Sequence, residues 1–66
     1  MSVVKVIEIT SSSPTSFAEA VKAGIAKASE TIHGIKGAWV SEESLVVEND
    51  QVTEFRVTMR VSFVLD

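Results

Sequence analysis

Polar and apolar residues alternate almost without a break from Val52 to Leu65. Phe55, Val57, Met59, Val61, Phe63 and Leu65 share one parity, and Glu54, Arg56, Thr58, Arg60 and Ser62 share the other. A period of two over this length predicts a long β-strand with one buried and one polar face. Its Val, Thr and Phe content suits a pleated, half-buried surface. So long a strand needs partners on both edges, which predicts a place in the middle of a sheet.

The preceding segments supply those partners and a cover. Ser2 to Thr10 reads as a first strand, rich in Val and Ile. Lys5 and Glu8 have opposite parity, so the pattern leaves open which of its faces is buried. Ser11 to Thr15 reads as a loop by composition. A helix follows. Ser16 with Glu19 three residues on forms a capping box, and Phe17, Val21, Gly24, Ile25, Ala28 and Ile32 make one apolar stripe. Gly34 is the expected left-handed stop, with His33 in the last turn, giving a helix of about 17 residues and about 26 Å. Lys36 to Val47 is the second strand. Ala38 and Val40 share one parity, and Gly37 and Trp39 the other, but Leu45 and Val47 then fall with Trp39. A β-bulge near Glu42 to Ser44 reconciles the two halves. Glu48 to Gln51 is the turn of a hairpin into the long strand.

The predicted fold is α+β, in the order β-α-β-β, as a single domain over residues 1–66. The helix returns the chain, so the first two strands run the same way, and the hairpin reverses the third. With the third strand between the other two, every pairing is antiparallel. The expected sheet order is therefore 1-3-2, with the helix on its apolar face.

Size adds a constraint. A chain of 66 residues buries only about 60% of its unfolded surface and is marginal alone. There is no Cys, so neither disulfides nor thiolate metal sites support it. Oligomerisation is the remaining support, and two open sheet edges and a surface Trp are liabilities that partner subunits would cover. The net charge of −3, without a Lys/Arg run, argues against nucleic acid. No apolar run approaches the roughly 20 residues of a membrane span, and the N-terminus does not read as a signal-peptide core. A cytoplasmic location is expected.

Few residues suggest chemistry. His33 is the single imidazole; at a helix C-terminus its cation is favoured by the dipole. Glu42, Glu43, Glu48 and Asp50 lack calcium-loop spacing and suit a solvated hairpin. Glu43, Glu48 and Asp50 are weak candidates for an oxygen-ligand site completed by a neighbouring subunit. The serine-rich loop before the helix lacks the Gly and Lys of a phosphate-binding loop, so capping explains it better. Trp39 stands out. By parity it shares the face away from the helix with Gly37 and Arg56, where it is either an interface anchor or a stacking platform for a planar ligand. No nucleophile–base pair is evident, which argues against an enzyme.

Ser12-Ser13-Pro14-Thr15-Ser16, Lys27-Ala28-Ser29-Glu30-Thr31 and Phe55-Arg56-Val57-Thr58-Met59-Arg60-Val61-Ser62-Phe63 closely resemble dodecins. The likeness spans nearly the whole chain without an evident gap. It implies a hollow homododecamer that stores flavin, riboflavin or FMN, between subunits without turning it over. In a gapless alignment the family's flavin-stacking Trp position is Gly37 here, with Trp39 two residues later. The Gln that hydrogen-bonds the flavin ring is Arg56 here. Trp39 keeps the parity of Gly37 and lies about 6.6 Å further along the strand. Gly37, Trp39 and Arg56 are thus the candidate flavin-binding residues. Some dodecin-like chains lack the Trp and are named for calcium, so the alternative is a flavin-free shell with a structural or calcium-binding role.

Overall fold

The computed structural model describes residues 3–65; Ser2, the expected start of the first strand, lies outside them. Strand β1 (Val3–Ser13), helix α1 (Phe17–Ser29), strand β2 (Ile35–Glu48) and strand β3 (Gln51–Leu65) follow in that order. The three strands form one antiparallel sheet in the order β1-β3-β2. The alternating segment is its centre, as its pattern requires. No helix among the described residues is long and apolar enough to cross a membrane.

The first strand runs three residues beyond Thr10, because β3 offers it a continuous ladder. Ser11, Ser12 and Ser13 pair with Val57, Arg56 and Phe55. Ser13 is buried, and its hydroxyl accepts from the Thr15 N–H at 3.0 Å, which turns the chain toward the helix. The serine-rich loop therefore shrinks to the residues around Pro14. Register also settles the face that parity left open. Ile7 and Ile9 lie opposite Val61 and Met59, so they face the helix and Glu8 faces away.

Ser16 caps α1 as expected. Its backbone is extended and its hydroxyl accepts from the Glu19 N–H at 3.1 Å. The Glu19 carboxylate pairs with Lys22 at 3.8 Å. The helix has 13 residues, about 20 Å, shorter than the sequence predicts. The Ser29 hydroxyl donates to the Ala26 carbonyl at 2.8 Å, the N–H of Glu30 and that of Thr31 donate in tighter turns, and the chain unwinds. Gly34 is not the stop. It takes its positive φ of 78° in the connection that follows, where its carbonyl accepts from the Val64 N–H at 3.3 Å. His33 is exposed and lies beyond the helix end, so the dipole argument for it lapses.

A bulge is present, but at Ser41, just before the expected Glu42 to Ser44: Val40 lies opposite Met59 and Glu42 opposite Thr58. The Ser41 hydroxyl donates to the Thr58 carbonyl at 3.2 Å. Beyond it, Glu43 and Leu45 join Ala38 and Val40 on the helix side. The two-residue turn places Asn49 and Asp50 at φ 52° and 63°, the left-handed pair that matches strand twist in a tight hairpin.

Ala20, Val57 and Met59 form the core, with Ile9, Phe17, Val21 and Ile25 packed against it. Val61 is fully buried beside them. Phe17 meets Phe55 edge-to-face at 5.3 Å. The helix packs on β1 and β3 and leaves most of β2 uncovered. Val40 and Leu45 on the helix side, and Val4, Val6 and Trp39 on the other, are exposed.

Candidate functional site

The face of the sheet away from the helix carries the polar parity of β3. Trp39 lies there opposite Arg60, which in turn lies opposite Glu8. Arg60 Nε is 3.7 Å from the Glu8 carboxylate. Both partners are exposed, so the pair stabilises the fold by no more than about 1 kcal/mol. Trp39 is 49% exposed. Half of a large indole therefore lies open on a strand, where single-chain packing gives it nothing further to bury against.

Gly37 lies beside it, opposite Ser62, whose hydroxyl donates to the Gly37 carbonyl at 3.2 Å. A Cβ built on Gly37 would meet only the Ser62 hydroxyl, at 3.3 Å. Gly37 and Trp39 thus stand two residues apart on one face, with no side chain at Gly37.

Arg56 is on the same face but not beside Trp39. It lies opposite Ser12 on one side and Ser44 on the other, four residues along β3 from Arg60, or about 13 Å. Its Nε donates to the Ser12 hydroxyl at 3.3 Å. Glu43, next to the Ser44 that lies opposite Arg56, points to the other face, across from Val57, because the Ser41 bulge reverses parity. The side chain that adjoins Trp39 is Arg60, which parity alone does not single out. Only the pairing register of β2 with β3 identifies it.

The acidic candidates do not converge within one subunit. Glu43 is on the helix side, Glu48 pairs with Gln51 at the hairpin end, and Asp50 is in the turn. Among the described residues no three His, Cys, Asp or Glu side chains are grouped to hold a metal. Calcium takes about 6–8 oxygen ligands, so these residues fit it only with oxygens from another subunit.

A concavity of about 470 Å³ runs between the helix and β1, lined by Ile9, Gly24, Ala28 and Ile32 together with Lys27 and Glu30. Its wall is mostly apolar, and Lys27 and Glu30 pair with each other at 3.5 Å. The single buried polar residue among those described is Ser13, whose hydroxyl is satisfied.

Fold and face together define a small α+β module whose uncovered sheet face presents a half-exposed aromatic ring. The family model described as Dodecin matches residues 3–66. Calcium dodecin of Mycobacterium tuberculosis is 35% identical over 63 residues, covering 96% of this chain and 89% of its own. Among solved structures, dodecin from Streptomyces davaonensis superposes with a TM-score of 0.94 at 32% identity, covering 98% of this chain and 96% of its own. The calcium-chelating antigen calcium dodecin of M. tuberculosis, solved with a novel calcium-binding site, gives a TM-score of 0.86 at 31% identity, covering 97% and 91%. The chain belongs to the dodecin family.

Proposed function

We propose that this protein is a non-enzymatic binding and storage module, a single domain that assembles as a hollow homododecamer and sequesters a flavin of the riboflavin or FMN type at its subunit interfaces. A cytoplasmic location is part of the reading, on composition alone. The half-exposed Trp39, with the side-chain-free Gly37 on the same face, carries the proposal. Flavin supplies an extended planar ring, and stacking on an indole contributes about 0.5–1.5 kcal/mol beyond area burial. Trp39 would bear the ring, Gly37 would admit its edge, and Arg56 would offer a cation on the same face. Such a site binds and quenches without turnover.

The test is a fluorescence titration. Oxidised riboflavin or FMN should lose fluorescence on addition of the protein, and Trp39→Ala should weaken binding about tenfold, equivalent to about 1.4 kcal/mol. No quenching at tens of micromolar protein, a range set by typical micromolar affinities, would sink the flavin reading. The second reading is a flavin-free shell with a structural or calcium-binding role, favoured by the 35% identity to calcium dodecin. On that reading Trp39→Ala lowers the oligomer's thermal stability, and calcium raises it.

A further inference from the structure

The helix side of the sheet leaves two apolar surfaces without cover, at opposite edges. One is the concavity between α1 and β1, where Ile7, Ile9, Ala23, Ala28 and Ile32 form an open wall. The other is the end of the hairpin. β1 pairs with β3 no further than Ser13 opposite Phe55, so the chain from Val46 to Glu54 projects as two strands without a third. Leu45 at its base and Val47 and Val52 along it are exposed. A two-stranded hairpin alone is marginal in water, and α1 packs on β1 and β3 instead. Charge divides the chain along the same line. Glu42, Glu43, Glu48, Asp50 and Glu54 put five carboxylates and no cation on the hairpin. With −3 for the whole chain and −5 for the hairpin, the remainder carries +2. Lys27 lines the concavity, and Lys5 shares the helix side of β1 with Ile7. Lys27 holds only its exposed contact with Glu30, and Lys5 enters no ion pair among the described residues.

Resting on the assembly reading above, we propose that the hairpin arm of one copy, residues 42–54, docks in the α1–β1 concavity of the next. A chain cannot fill its own concavity. The groove is on the β1 flank of the helix, and the arm belongs to the β2 edge across the sheet. The occupant is therefore a second copy, whose apolar and acidic arm meets an apolar groove flanked by lysines. Burial of the apolar side chains drives the contact, and complementary charge selects this groove among the exposed apolar patches. The two surfaces differ, so the contact is head-to-tail, and its repetition closes a ring rather than a pair. It lies on the other side of the sheet from Trp39 and needs no ligand to form.

The experiment is thiol cross-linking of the assembled protein. The chain has no Cys, so introduced thiols report alone. Leu45 and Ala23 are both exposed, and Leu45→Cys and Ala23→Cys should leave folding intact. Treated with a short bis-maleimide, the chain carrying both substitutions should give a covalent ladder of dimers and higher multimers on a denaturing gel. Either substitution alone should give none. Lys27→Glu should raise the protein concentration at which the oligomer dissociates by about tenfold or more, the effect of one like-charge contact across an interface. An oligomer whose doubly substituted chains do not link to one another overturns the docking while the assembly reading stands. Efficient dimers from Leu45→Cys or Ala23→Cys alone also overturn it, since the contact would then be isologous. So does a Lys27→Glu oligomer as persistent as the wild type. A wild type that light scattering finds monomeric overturns the assembly reading and this proposal together.

Discussion

Gly24 shows how closely one residue can set the distance between two layers. A Cβ there would come 2.7 Å from the Met59 methyl and 3.0 Å from the Ser11 Cβ. The helix thus lies against the sheet at a separation that only a hydrogen permits. Alanine elsewhere in a helix interior gains about 1 kcal/mol over glycine. Here overpacking costs about 1–3 kcal/mol. The flexible Met59 end can yield, but Ser11 is fixed in a paired strand. Gly24→Ala should therefore lower stability despite its better helix propensity, seen as a reduced urea midpoint. A raised midpoint would show that the layers separate freely.

At the scale of elements, β3 organises the others, and its burial is the point most sensitive to charge. Val61 is fully buried between Ile7 and Ala38. Val61→Asp would leave an unpaired carboxylate there at a cost of several kcal/mol, enough to abolish folding and assembly together. Circular dichroism and gel filtration of the variant check this; a folded oligomer would mean the faces are reversed. Much of this architecture was legible in the residue pattern. Strict alternation placed β3, the Ser16 cap placed the helix start, and the parity break after Val40 required a bulge. What escaped the pattern depends on contacts between elements. The Ser11–Ser13 run became strand because β3 offered a ladder. The helix stopped early as the backbone bonds tightened at Glu30 and Thr31. The site was legible to the same depth: parity put Trp39, Gly37 and Arg56 on one face, but adjacency needed the register, which gave Trp39 to Arg60.

The whole molecule is long and thin, 51 × 20 × 14 Å, and one helix cannot cover it. Apolar side chains stand exposed on both faces of the sheet and out along the hairpin, among them Val4, Val6, Val40, Leu45, Val47 and Val52. Exposed apolar surface on this scale marks interaction sites. A closed assembly of identical subunits would bury both faces at once. Light scattering at micromolar concentration should give the mass of a closed oligomer, twelve copies on the family resemblance. A monomer mass would remove the basis for any interface site, including one at Trp39.

The position of β3 in the chain has a kinetic consequence. β1 is synthesised first, yet its hydrogen-bonding partner is the strand that follows everything else described here. β2 has the same partner. Until β3 exists there is no sheet, only two unmatched strands and a helix whose apolar stripe has nowhere to go. Pairings so distant in sequence are slow to form, and unmatched strands are the species that aggregate while they wait. Nascent chains stalled before Gln51 should therefore be fully protease-sensitive, with protection arriving in one step once β3 is free of the ribosome. Stepwise protection before that point would mean that β1 and α1 hold together without the strand that joins them.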